Sequence, residues 1–150
     1  MEEALKEAWL ALDKGEIPVG AVIVKDGEII ARGHNLRETH NDPTGHAEIV
    51  ALRRAAEALG SWRLDGCEMV VTLEPCCMCA GAIAAARLDS VIFGAADKAA
   101  GCCGSVYSIP EDPGLAGHHT PVHGGLMAKE CEDVLQAFFQ KRREGNPCCR

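Results

Sequence analysis

Two runs rich in valine and isoleucine, Val19 to Lys25 and Glu28 to His34, are separated only by Asp26-Gly27. Asp-Gly adopts the left-handed backbone of a two-residue hairpin turn at little cost, so the runs pair as antiparallel strands. The chain must therefore build a sheet, and every later segment either extends it or covers a face. Glu68 to Leu73 reads as a short buried strand, Cys76 to Arg87 as an alanine-rich buried helix, and Ser90 to Gly94 as another strand. Such alternation calls for crossover helices on the sheet faces, hence an α/β three-layer domain. Glu2 to Lys14 carries Leu5, Ala8, Trp9 and Leu12 at helical spacing and stops at Gly15. Asp42-Pro43 reads as an N-cap with proline at the first helical position, opening a second helix that ends near Gly60. Glycine, proline and histidine dominate Gly101 to Gly125, with a short strand expected near Thr120 to His123. An amphipathic helix follows over Ala128 to Arg143, its stripe made by Cys131, Val134, Leu135 and Phe138.

A length of 150 residues suits one domain with a real core. The longest apolar run, Cys76 to Ala86, is far short of the roughly 18 residues of a membrane span. Met1-Glu2-Glu3-Ala4-Leu5-Lys6 carries acids where a signal peptide has a basic segment, so a cytoplasmic location is expected. Nine cysteines, an odd number, favour metal binding over a disulfide scaffold. The net charge of −7 argues against nucleic-acid binding by bulk attraction. Its distribution is uneven: Lys141, Arg142, Arg143 and Arg150 face only Glu144 after Phe138, so one basic patch is expected on an acidic body.

Cys76 and Cys79 follow Glu74-Pro75 at a strand end and helix start, where the helix dipole favours thiolates. Thirty residues upstream, His46-Ala47-Glu48 stands at the start of another expected helix. One imidazole and two thiolates supply three ligands and leave a tetrahedral zinc one open position, the mark of a catalytic site. Water in that position acidifies to a pKa of about 7, which makes hydroxide available. Glu48, not needed as a ligand, is suited to move protons. Cys-x-x-Cys is also the spacing of a thioredoxin-type redox pair, and Glu48 lies about 200° from His46 on an ideal helix. Spacing alone leaves both points open. Cys77 has the wrong spacing for a ligand and is expected to pack. Cys102, Cys103, Cys148 and Cys149 lack a partnering histidine pattern, and His118, His119 and His123 are expected on the surface or against RNA.

His46-Ala47-Glu48 with Pro75-Cys76-Cys77-Met78-Cys79 matches the H-x-E and P-C-x-x-C signature of the zinc-dependent nucleoside and nucleobase deaminases. Gly15 to Val22, Gly33-His34-Asn35, Asp42 to Ile49, Gly94 to Asp97, Gly104-Ser105 and Phe138-Phe139 further resemble the bacterial tRNA-specific adenosine deaminases of the cytidine/deoxycytidylate deaminase family. The resemblance runs from the first helix to Arg143. It implies a cytidine-deaminase-like α/β/α fold with a five-stranded mixed sheet and a homodimer; no membrane association is expected, given the short apolar runs. Residues 1–144 are expected to form the deaminase domain and 145–150 a short disordered tail. The resemblance further implies one Zn2+ per chain on His46, Cys76 and Cys79, with Glu48 as the proton shuttle. Asn35 would contact the purine, the Ala47 N–H would hold its reacting edge, and Asp97 would lie near the target sugar. Around Asp97 the chain departs from the family's usual pattern, reading Ala96-Asp97-Lys98-Ala99. The implied reaction hydrolyses a cyclic amidine C–N bond, converting adenosine to inosine at the wobble position of a tRNA anticodon arm. The competing reading is a deaminase of free guanine, cytosine or cytidine.

Overall fold

The computed structural model describes residues 1–115 and 117–145. In chain order the elements are α1 (Glu2–Asp13), β1 (Gly20–Lys25), β2 (Glu28–His34), α2 (Arg37–His40) and α3 (Ala47–Leu59). They continue with β3 (Cys67–Leu73), α4 (Cys77–Ala86), β4 (Ser90–Ala95), β5 (Val122–Gly124) and α5 (Ala128–Gly145). The strands form one five-stranded sheet in the order β2-β1-β3-β4-β5. β1 is antiparallel to β2 and β3, whereas β4 is parallel to both β3 and β5, so the sheet is mixed as expected. The hairpin turns as its sequence requires, with positive φ at both Asp26 (51°) and Gly27 (79°).

Alternate side chains of each strand enter different cores. Ala21, Ile23, Met69, Val71, Val91 and Phe93 pack with Ala47, Ala51 and Leu52 of α3 and Ala80 and Ile83 of α4. Val22 and Val70 pack with Ala4 of α1 in a second cluster, and Leu5 and Ala8 join Cys131 and Val134 of α5 in a third. This period-two partition makes the three layers, with α3 and α4 on one face and α1 and α5 on the other. Glycine permits the closest approaches. A Cβ on Gly20 would stand 2.0 Å from the Ala4 carbonyl oxygen, and one on Gly33 would stand 2.5 Å from that of Ala47.

Some expectations are corrected. The second long helix begins at Ala47, not at Asp42-Pro43. Asp42 Oδ1 instead accepts the N–H (2.8 Å) and hydroxyl (2.7 Å) of Thr44, so its capping capacity closes a local turn. A four-residue helix, α2, precedes that turn. On α1, Trp9 is 48% exposed while Glu7 is buried, because Glu7 Oε2 pairs with His34 Nδ1 at 2.7 Å. Cys77 is exposed and does not pack, whereas Cys102 and Cys103 are buried. α5 runs to Gly145, and residues 146–150, with Cys148 and Cys149, lie outside the described residues.

Candidate active site

β2, β3 and β4 point the same way and β1 the opposite way, so the end of β2, the start of β1 and the ends of β3 and β4 meet at one edge of the sheet. α3 and α4 both start there. Their first N–H groups have no intrahelical acceptors, and their positive dipole ends converge on the same place. His46 is the N-cap of α3 and Cys76 the N-cap of α4, both with extended backbone. Ideal-helix spacing therefore does not govern His46 and Glu48, since His46 stands outside the helical turn that carries Glu48.

His46 Nδ1 lies 3.6 Å from Cys76 Sγ and 3.5 Å from Cys79 Sγ, and the three ligand atoms lie within 4.8 Å of one another. A nitrogen and a sulfur held tetrahedrally by one zinc, at about 2.0–2.1 and 2.3 Å, stand roughly 3.5–3.6 Å apart. The donor set thus fits zinc in kind and in spacing. Among the described residues no other His/Cys/Asp/Glu group gathers in this way, so His118, His119 and His123 form no second cluster.

The protons of this group are tightly linked. Donation from the Cys79 thiol and then from His46 holds the Cys76 thiol down to about 3. The same bond to Cys76 drives the Cys79 pKa upward, and His46 is raised by its own bond to Cys76. A divalent cation bound here would displace these protons, since it takes both sulfurs as thiolates. Glu48 is 4% exposed, and burial pushes its carboxyl up to about 7. A buried acid whose pKa lies near neutrality can both accept and return a proton.

A cavity of about 210 Å³ opens onto this cluster, lined by Ile17, Val19, Asn35, Arg37, His46, Glu48, Leu73, Glu74, Cys76, Asp97 and Ala100. Five of the seven expected residues line it; Cys79, fully buried, stands behind it in the ligand cluster. Ala47 is fully buried between His46 and Glu48 and is absent from the lining, though its N–H is among those at the α3 start. Asp97 caps its own turn, Oδ1 accepting from Ala99 N–H at 3.0 Å and Ala100 N–H at 3.1 Å.

Sequence reasoning missed three residues. Glu16, fully buried, accepts the N–H of Thr39 (2.7 Å) and Glu38 (3.3 Å) at the start of α2, and Asn35 Nδ2 lies 3.5 Å from it. That helix brings Arg37 to the cavity. Glu74 supports the opposite wall. Each buried acid sits just ahead of a proline in an apolar stretch, a signal visible in Glu16-Ile17-Pro18 and Glu74-Pro75 but not specific enough to act on.

A small recess lined by Gly15, Glu16, Ile17, Asn35, Arg37, Glu38, Phe138 and Arg142 adjoins the cavity and brings α5 beside it. Phe138 is buried, with the Arg142 guanidinium 5.2 Å from its ring centroid, while Phe139 is 48% exposed.

Residues 1–95 match the family described as the cytidine and deoxycytidylate deaminase zinc-binding region. The tRNA-specific adenosine deaminase of Bacillus subtilis (strain 168) is 46% identical over 150 residues, covering all of this chain and 92% of that protein. A structure from a study of A-to-I editing by tRNA:A34 deaminases at the wobble position of transfer RNA superposes with a TM-score of 0.86. It is 44% identical, over 90% of this chain and 97% of that one. The guanine deaminase of Bacillus subtilis aligns less closely, with a TM-score of 0.63 and 35% identity over 99% of this chain and 94% of that one.

Proposed function

The chain belongs to the cytidine and deoxycytidylate deaminase family, and we propose that within it the protein deaminates adenosine to inosine at the wobble position of a tRNA anticodon. The observation that carries the chemistry is a buried Glu48 carboxyl lining the same cavity as His46 and Cys76. Near full-length similarity to tRNA adenosine deaminases supports the substrate.

His46, Cys76 and Cys79 would hold one zinc, which when bound supplies a Lewis acid that acidifies water for attack. The net reaction adds water across adenine C6: the C6–O bond forms, the exocyclic C6–N bond breaks, and ammonia leaves. Glu48 takes a proton from the attacking water and delivers it to the ring nitrogen, then takes the proton of the new C6 hydroxyl and passes it to the departing amine as the C6 carbonyl forms. Burial suits Glu48 to this exchange because it keeps the acid form populated near neutral pH. Asn35 holds the base from the β2 end, the Ala47 N–H at the α3 start meets its reacting edge, and Asp97 stands at the sugar. An adenine inside a loop must be flipped out to reach such a cavity, which favours an anticodon over a duplex.

RNA outside the cavity meets α5, where Lys141, Arg142 and Arg143 are exposed and Phe139, edge-on to Phe138, presents a half-exposed ring for stacking. Buried Phe138 supports Arg142 instead. Residues 1–144 are the deaminase domain in this reading, and its substrate puts the reaction in the cytoplasm. Among the described residues no helix is long and apolar enough to cross a membrane. A homodimer is part of the same proposal, through the exposed side of α4.

Ammonia release from an anticodon hairpin, measured beside free guanine, cytidine and adenosine, tests the substrate. The proposal expects turnover of the hairpin. Turnover of guanine or cytidine with an inert hairpin would replace it with the free-base reading.

A further inference from the structure

Glu74 ends the β3 side of the cavity at 2% exposure, and no cation pairs with it among the described residues. Its partners all come from the loop after β4, and all are donors. Oε2 accepts the Asp97 N–H at 2.9 Å and the Ser105 hydroxyl. Oε1 accepts the N–H of Cys103 at 3.1 Å and of Ser105 at 2.9 Å. The loop lies so close that a Cβ on Gly101 would stand 2.4 Å from Oε2. Only an ionised carboxylate offers acceptors on both sides to four donors. Asp97, meanwhile, spends Oδ1 on its own turn, and no described residue hydrogen-bonds its Oδ2.

We propose that Glu74 is the positioning residue for Asp97: Oε2 fixes the Asp97 backbone, so that the free Oδ2 meets a hydroxyl of the target nucleotide's sugar. This rests on the reading that Asp97 touches the nucleotide. The two oxygens divide the work, which makes glutamine an informative replacement. In Glu74→Gln the amide oxygen remains where two backbone N–H groups converge, on Cys103 and Ser105. The NH2 then faces the Ser105 hydroxyl, which can turn to accept, and the Asp97 N–H, which cannot. One tether is lost while the loop keeps the other.

The test is a cycle of Glu74→Gln, Asp97→Ala and the double variant, with kcat and KM on an anticodon hairpin, bound zinc, and the backbone amide resonances of the zinc-loaded protein. Glu74→Gln should keep zinc and fold, and kcat/KM should fall roughly 10–100-fold, mainly through KM. The double variant should be no worse than the poorer single one, because both changes remove the same contact. In Glu74→Gln the Asp97 amide resonance should move upfield as its bond to the carboxylate is lost, with those of Cys103 and Ser105 changing less. Multiplying losses, a fall in kcat/KM that tracks zinc loss or unfolding, or an unmoved Asp97 amide would each overturn the proposal. A wild type inert on the hairpin would instead sink the proposed substrate and with it the role of Asp97, while the amide resonances would still decide the tether on its own.

Discussion

Cys76, Cys77 and Cys79 share one chemistry and differ only in where the start of α4 points them. Cys76 and Cys79 face His46, whereas Cys77 is exposed. Cys79→Ser should therefore lose metal and stability, and Cys77→Ser should keep both. Elemental analysis checks this, and equal zinc in the two variants would refute the ligand assignment. Glu16 gives the second prediction at this scale. Burial raises its pKa, but donation from Thr39 and Glu38 outweighs burial and leaves the carboxyl below its ordinary value of 4.5. A carboxyl depressed by folding contributes stability above its unfolded pKa and loses it as pH falls through the folded value. The stability advantage of wild type over Glu16→Gln should therefore be full near neutral pH and shrink below about pH 4.5. Urea titrations of both proteins across that range measure the difference, and a gap independent of pH would contradict it.

α5 carries a function only its far end can perform, because Cys131, Val134 and Phe138 commit the preceding turns to the core. If Lys141, Arg142 and Arg143 neutralise about three phosphates of a single-stranded loop, replacing all three with Gln should flatten the slope of log affinity against log salt by roughly 2, at ~0.7 per contact. Hairpin binding across a salt series reads the slope. An unchanged slope would make these residues a solvated helix end. The other elements show what a sequence discloses at this scale. The β1–β2 hairpin was legible because Asp26-Gly27 determines its own turn, and β3 and β4 because short apolar runs bounded by turn residues are a local signal. The His46/Cys76/Cys79 set was legible because ligand chemistry is specific to residue type. α2 was not legible, since its N–H groups are satisfied by Glu16, over twenty residues earlier. The start of α3 was misplaced because Asp42 can cap a turn or a helix with the same atoms. On α1, the buried Glu7 is explained only by His34 of β2, a partner that no helical period reveals.

At the scale of the whole molecule, one surface lacks the polar cover a lone domain would have. α4 is apolar all round, a pattern suited to burial, yet Ala85 is exposed and Gly81 and Ala82 are only half-buried. Trp62 and Leu115 flank the same groove at 62% and 65% exposure. In the proposed dimer a second copy covers this face, so sedimentation should give twice the 15.9 kDa chain mass, and Ala85→Glu should halve it. A monomeric wild type would refute this. The central claim, a buried glutamate beside a zinc-ligand cluster deaminating one adenosine of an anticodon, is tested most directly by locating inosine in RNA. Transfer RNA bearing adenosine at the wobble position is incubated with wild type and with Glu48→Ala, then sequenced. Wild type should place inosine at the wobble position alone. Glu48→Ala, with its zinc retained, should be slower by at least ~10²–10⁴-fold. Inosine elsewhere, no inosine at all from the zinc-loaded wild type, or near-normal turnover by Glu48→Ala would contradict the account.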